Sequence, residues 1–262
     1  MTSRGQDLRR FPGVGVTAAA FFIYLYLPIV ILLILSFNAS RSATIWTGFS
    51  LDWYEVVLRN PDILRAAKNS LIVAATATLV STALATMAAL GMAGSRFPGQ
   101  PAVSGLVALP LVVPEIVTAV ATLLFFVLIG MRLGLATVMV AHTVFCIPFA
   151  YLPIRARLEG MDKALTEAAA DLYANPWQAF RRVTLPLLWP GILSGAMLAF
   201  IISLDDFVIT FFVSGAGATT LPVYIFGMIR IGISPEVNAI STVMLAVSVL
   251  FVSLSYLFAR RR

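Results

Sequence analysis

Three acidic residues stand in stretches of this chain that are otherwise apolar: Glu115, Asp205 and Asp206. An ionised carboxylate removed from water is costly unless it is paired or hydrated, so an acid in a membrane segment usually faces a pathway or a partner. The competing reading is a structural hydrogen bond between helices. At ~1.5 Å per residue, counting from Leu188 puts Asp205 roughly 26 Å along its helix, and counting from Val103 puts Glu115 roughly 18 Å in, near the midplane. Helical phase separates the two aspartates. Asp206 shares a face with Gly195, Ala199, Ser203 and Thr210, small and polar as a pore lining should be. Asp205 shares its face with the bulky Leu198, Ile201, Val208 and Phe212. The phase therefore favours Asp206 on the pathway and asks for a partner for Asp205. Glu115 sits with Thr118 and Thr122, which again fits a lining. His142 and Cys146 are four residues apart, but two ligands do not make a zinc site; they read as packing, and no metal centre is expected.

A second constellation is charged. The stretch Glu167–Ile192, EAAADLYANPWQAFRRVTLPLLWPGI, interrupts the apolar pattern. Glu167 to Leu172 are mostly strong helix formers with acids suited to a helix start. Asn175-Pro176 is expected to break that helix and begin another, Asn as cap and Pro in the first turn. Trp177, Phe180 and Val183 then form an apolar edge beside Arg181 and Arg182, and Leu185-Pro186 and Trp189-Pro190 mark re-entry into the apolar pattern. The expectation is two short helices at an angle. Spacing alone leaves two uses open, an amphipathic loop on a membrane surface or a docking surface.

The elements that must position these residues follow from composition. The chain of 262 residues is 60% hydrophobic and 11% charged, where a soluble domain carries about 25% charged residues. Runs long enough to cross a membrane lie near 14–37, 68–95, 103–130, 135–154, 187–213 and 236–259, and each must be helical so that its backbone satisfies itself. The runs do not alternate as barrel strands would. The expected fold is all-α, a polytopic membrane protein of about six transmembrane helices in a single domain over 1–262. The net charge of +6 does not indicate nucleic acid. Of the 18 Lys and Arg residues, twelve fall on one side of this topology (Arg4, Arg9, Arg10, Arg96, Arg155, Arg157, Lys163, Arg181, Arg182, Arg260, Arg261 and Arg262), and the excess places both termini in the cytoplasm. Arg9-Arg10-Phe11 resembles an export signal, but the run behind it is too long for one, so it reads as a retained first helix. Trp46, Trp53 and Tyr54 in the polar connection 39–67 read as interfacial anchors. The segment Leu221–Ile233, after the glycine-rich Ser214–Thr220, is too short to span and reads as a re-entrant or interfacial helix. Ser234-Pro235 looks like a helix start, with Glu236 in its first turn.

The charged segment resembles the EAA motif of permease subunits of type I ATP-binding-cassette importers, a MetI-like fold. Glu167, Ala168, Ala169, Val183, Leu185 and Pro186 match the motif, while Tyr173 stands where it has glycine. Ser36-Phe37-Asn38, His142–Phe149, Ser203-Leu204-Asp205-Asp206, Leu221-Pro222 and Gly232–Ala239 resemble the polyamine branch of that family, the spermidine and putrescine permeases. The resemblance implies a permease core over 66–257 with a cytoplasmic coupling segment at 162–186. Its coupling residues would be Glu167, Ala168, Ala169, Asp171, Leu172, Tyr173 and Arg181. It also implies an inner-membrane location, a homologous second permease, two copies of an ATPase and a periplasmic polyamine-binding protein that Tyr224 and Arg230 would contact. It makes the chain a transport subunit rather than an enzyme. No GxxxxGK[ST] phosphate loop occurs, so ATP and Mg belong to the partner and no cofactor is expected here. The alternatives are a permease of the same superfamily for another solute, an ion-coupled secondary transporter working alone, and an intramembrane enzyme, for which no HExxH or GxSxG motif is present.

Overall fold

The structure is a computed structural model. It describes residues 13–42, 45–93, 97–162, 164–232 and 234–260, the last seven by backbone alone. Arg4, Arg9, Arg10, Arg96, Lys163, Arg261 and Arg262 of the charge distribution lie outside the described residues, as does Ile233. The chain forms two compact units, one of Met1–Arg59 with Met228–Met244 and one of Asn60–Gly227 with Leu245–Arg262.

The first unit begins with α1 (Val14–Leu35), apolar on every side as a span requires and uninterrupted by Pro28. The connection after it is held by a buried asparagine. Asn38 Nδ2 donates to the Ile45 carbonyl at 2.6 Å, its Oδ1 accepts from the Thr47 amide at 2.9 Å, and its carbonyl accepts from Trp53 Nε1 at 2.9 Å. Tyr54, in α2 (Asp52–Arg59), shares a 2.6 Å hydrogen bond with Ser36 and leans its ring on Phe37. Trp53 and Tyr54 therefore fasten this connection to the end of α1, a use their position alone does not disclose.

The second unit contains α3 (Pro61–Ala93), α4 (Gln100–Val112), α5 (Glu115–Leu128), α6 (Leu135–Glu159), α7 (Ala164–Asp171), α8 (Pro176–Ala179), α9 (Leu185–Asp205) and α10 (Val208–Val213). Two further helices, α11 (Leu221–Ile231) and α12 (Pro235–Arg260), run from one unit into the other. Among the described residues five helices are long and apolar enough to cross a membrane, or six when α4 and α5 count as one broken span. Apart from the single bridge Asn38–Phe49, the described residues are helix, turn and irregular chain.

Three helices, α3, α6 and α9, form the centre of this unit, packed through small side chains. Gly191, Gly195, Ala199 and Ser203 recur every fourth residue along α9, and all four are buried. A Cβ on Gly191 would lie 2.6 Å from Arg157 Cβ, and one on Gly195 would lie 2.5 Å from the Ala150 carbonyl oxygen. Cys146 Sγ meets the Ala199 carbonyl at 3.5 Å. Backbones come this close only where side chains are minimal, the usual solution in a membrane where helices gain little from burying apolar area. The stripe read above as a pore lining is thus a helix contact. Sequence periodicity shows that a face is small and polar, but not whether another helix covers it.

Two of the expected spans are broken. Between α4 and α5 the axis turns by 110°. Pro114 disfavours a helical Val113, which is extended (φ −73°, ψ 131°), and Pro114 itself follows with ψ 132°. Between α9 and α10 the chain is extended at Asp206 (ψ 125°). At Leu185-Pro186, where the chain re-enters the apolar pattern, the helix does not break. From Pro176 the chain stays helical into α9, through a π-helical turn at Phe180–Thr184 in which the Leu185 amide reaches back to the Phe180 carbonyl. The wider turn directly before Pro186 makes room for a ring that lacks an N–H and would otherwise crowd the preceding turn.

Beyond α10 the glycine-rich loop is pinned. Asn69 Nδ2 on α3 donates to the carbonyls of Gly217 and Thr219, both at 3.0 Å, and the Leu221 amide donates to Ser70 Oγ at 2.8 Å. Gly215 lies so close to the Leu133 carbonyl that any side chain there would collide with it.

Candidate functional site

The α9–α10 break is built around Asp206. Its Oδ1 accepts from the Thr210 amide at 3.0 Å and from Thr210 Oγ1 at 3.2 Å, while Oδ2 accepts a long 3.4 Å hydrogen bond from the Ile209 amide. An aspartate that takes the first amides of a helix stabilises its start, which is why the chain can stop α9 and open α10 here. From α6, His142 Nε2 lies 3.1 Å from Asp206 Oδ1 and 2.8 Å from Thr210 Oγ1; its Nδ1 is 2.8 Å from Ser203 Oγ. The imidazole and the carboxylate are both almost wholly enclosed, 2% and 1% exposed. With Thr210 Oγ1 donating to the aspartate, Nε2 carries the proton and Ser203 completes Nδ1, so each polar atom has a partner, as burial demands. His142 therefore ties α6 to both halves of the broken helix.

The second break meets the first. Glu115 opens α5 directly after Pro114, and its carboxyl lies near enough to that of Asp206 for the two to interact. Glu115 is exposed whereas Asp206 is enclosed behind it. Two carboxyl groups so placed call for a proton or a cation between them, since like charges at that range cannot both stand bare. Irregular backbone at membrane depth is tolerated where it lines a cavity, and broken helices mark binding sites in many transport folds. The arrangement can hold a cationic group.

Helical phase favours Asp206 on the pathway, yet its side chain is buried within this chain. Asp205 ends α9 exposed, and Asp206 is buried with His142 of α6 beside it. His142 was read as packing; the structure brings it to Asp206, and the signal was a lone histidine in an apolar helix when the aspartate's stripe also carries Ser203 and Thr210. Cys146 is buried packing, and the described residues hold no group of three or more potential metal ligands.

The charged segment forms a separate surface. Glu167 lies in the first turn of α7, exposed with Ala168, while Ala169 is buried. Asp171 ends α7, followed by the exposed Leu172 and Tyr173, the latter 97% accessible. Tyr173 has φ +59°, the one left-handed non-glycine among the described residues. Its amide donates to the Ala170 carbonyl at 2.9 Å and the Ala174 amide to the Ala169 carbonyl at 3.0 Å. This is the double hydrogen bond of a Schellman cap, normally completed by glycine, so the tyrosine keeps the turn at the cost of strain. Asn175 then caps α8, its Oδ1 accepting from the Gln178 amide at 2.8 Å while Gln178 Oε1 accepts from the Asn175 amide at 3.0 Å. Arg181 is exposed on the π-helical turn. Tyr224 is half-buried on α11 and Arg230 is exposed on the same helix.

The second unit thus joins three closely packed helices, two broken spans and an exposed pair of short helices, α7 and α8. A family model for the binding-protein-dependent transport system inner membrane component matches residues 81–262, and the chain belongs to that family. It is 39% identical over 241 residues to the spermidine/putrescine transport system permease protein PotC of Escherichia coli K12, covering 92% of this chain and 91% of the relative. It is 40% identical over 247 residues to the putrescine transport system permease protein PotI of the same organism, covering 91% and 88%. Among solved structures, a chain of a bacterial ABC transporter importing the acidic polysaccharide alginate superposes with TM-score 0.69 at 19% identity, covering 94% of this chain and 92% of that one. The MetNI methionine transporter gives TM-score 0.65 at 22% identity, covering 76% and 94%. These two likenesses show the fold, that of a type I ABC importer permease. The protein is a multi-pass inner-membrane permease subunit.

Proposed function

We propose that this permease carries polyamines, spermidine or putrescine, into the cell by alternating access, driven by ATP hydrolysed on a separate subunit. The observation that carries the reading is 39–40% identity along about nine-tenths of the chain to permeases named for these two cargoes. The chemistry of the site agrees with it. Glu115, with Asp206 behind it and Asp205 exposed nearby in sequence, offers carboxylates at the breaks of two spans, where an ammonium group would be held by charge in a setting less screened than water.

In this reading a second, homologous permease completes the pathway and two ATPase copies dock on the cytoplasmic face. The docking surface is Glu167, Ala168, Asp171, Leu172 and Tyr173 with Arg181, seated on the buried Ala169. ATP and Mg are bound by those partners. A periplasmic polyamine-binding protein delivers cargo on the opposite side, where Tyr224 and Arg230 are candidate contacts. The excess of Lys and Arg on the EAA side supports cytoplasmic termini.

The test is reconstitution of the complete complex in proteoliposomes with labelled spermidine and putrescine. Uptake should require ATP, the ATPase and the binding protein. Polyamine uptake by this chain alone on an ion gradient would overturn the reading, and ATP-dependent uptake of a different solute with no competition from polyamines would reassign the cargo. Glu115→Gln and Asp206→Asn should each depress uptake at least about tenfold, the loss of roughly one 1.4 kcal/mol charge contact. Wild-type uptake by both would remove them from the pathway.

A further inference from the structure

We infer that His142 is a positioning residue for cargo selectivity, acting through Asp206, on a helix that neither break belongs to. The inference rests on the reading of Glu115 and Asp206 as pathway carboxylates. Its basis is the uneven loading of the aspartate. The Thr210 amide, Thr210 Oγ1 and His142 Nε2 all converge on Oδ1, at 3.0, 3.2 and 3.1 Å, whereas the Ile209 amide at 3.4 Å is the one backbone donor to Oδ2. An ionised carboxylate has about four acceptor sites on its two oxygens. Here the protein occupies one oxygen nearly completely and leaves the other with capacity.

The consequence is orientation. Thr210 belongs to the same short helix that Asp206 caps, so by itself it would let the carboxylate swing with α10. His142 fixes the same oxygen from α6, which is bound to α9 along the Gly191–Ser203 seam and whose own imidazole is steadied by Ser203 at 2.8 Å. The carboxylate therefore cannot turn Oδ1 outward, and Oδ2 is the atom offered to a cation. Glu115 is exposed and lies near Asp206, so an arriving ammonium meets Glu115 first and enters between the two carboxyls. Cargo with more or fewer ammonium groups is then weighed by a pair whose inner member is held in one pose. The other groups facing the imidazole from the elements packed on it are Ser203 and Thr210, both neutral, so its effect on the pathway runs through Asp206.

Two amides separate this role from simple stapling of helices. Gln in place of His142 sets its NH2 where Nε2 stands, keeping the donor to Asp206 and losing Ser203. Asn sets its amide oxygen where Nδ1 stands, keeping the acceptor for Ser203 and losing Asp206. In the complete complex with its binding protein, spermidine and putrescine uptake and their ratio are measured for H142Q, H142N, S203A, D206N and the double variant H142N/D206N. The ratio does not depend on how much complex assembles, so a lowered yield does not obscure it. H142N should lose uptake about tenfold and shift the ratio in the same direction as D206N, to within about twofold. H142Q and S203A should keep the wild-type ratio within about twofold, and the double variant should be no worse than D206N. Equal behaviour of H142N and H142Q, an unshifted ratio in H142N, or multiplied losses in the double variant would overturn the inference while leaving the pathway carboxylates in place. Normal uptake and ratio in D206N would instead show that the pathway reading itself had failed.

Discussion

Gly195 offers a direct test of whether the α6–α9 contact is as close as described. A Cβ there would fall 2.5 Å from the Ala150 carbonyl oxygen, 3.2 Å from its carbon and 3.3 Å from its Cα. A carbon sits comfortably against a carbonyl oxygen at about 3.3 Å, so Gly195→Ala must open this seam by about 0.8 Å. The obstacle is backbone on both sides, so no side chain can rotate away. Overpacking of this kind costs about 1–3 kcal/mol, against which alanine's better helix propensity returns up to about 1 kcal/mol. The net expectation is a loss of about 1–2 kcal/mol for Gly195→Ala, and more for Gly195→Val, which carries two further methyl groups into the contact. The control is Gly105→Ala in α4, where a Cβ would meet nothing within 4 Å; only propensity acts, and stability should hold or rise. Thermal unfolding of the purified permease in one detergent measures all three. Because Ala199 and Ser203 continue the same stripe, the shift should also draw Ser203 from His142 and lower uptake in the reconstituted complex. If Gly195→Ala melts at or above wild type together with Gly105→Ala, the seam is looser than argued and the explanation of the stripe fails.

Tyr173 makes a second prediction. A left-handed non-glycine residue is strained by about 1–2 kcal/mol, and Tyr173 has little contact to lose, so Tyr173→Gly should be neutral to slightly stabilising and Tyr173→Val destabilising. Thermal melting of the permease should rank Gly above Tyr above Val; the reverse order would mean the tyrosine side chain, not the cap, holds the turn. The glycine-rich loop makes a third. Asn69→Leu leaves the carbonyls of Gly217 and Thr219 without their donor, a cost of about 1–3 kcal/mol, and should speed proteolysis within 214–220 before any global unfolding. Cleavage at the wild-type rate would show that the loop does not depend on this residue.

Much of this molecule is written into local features of the chain. Six apolar runs, the cap at Asn175, the helix start at Pro235 and the short helix after Leu221 depend on nearest neighbours and on the length needed to cross a bilayer, and both are legible along one dimension. The EAA pattern is likewise a matter of spacing, and so was the departure at Tyr173, although only the backbone revealed that the tyrosine adopts the conformation glycine would have supplied. Glu115 was also within reach, because an acid behind a proline in an apolar run is a local anomaly.

What sequence could not decide was which faces are covered. The stripe Gly195, Ala199, Ser203, Asp206 has the same periodicity whether it faces water in a pore or the backbone of α6, and only packing distinguishes them. The burial of Asp206 beside an exposed Asp205, the His142 link across sixty-odd residues of chain, and the meeting of two helix breaks at Glu115 all belong to this category. Each rests on distances between segments remote in sequence, where the energy of close approach and of satisfying buried polar atoms is settled jointly by residues that no local window contains.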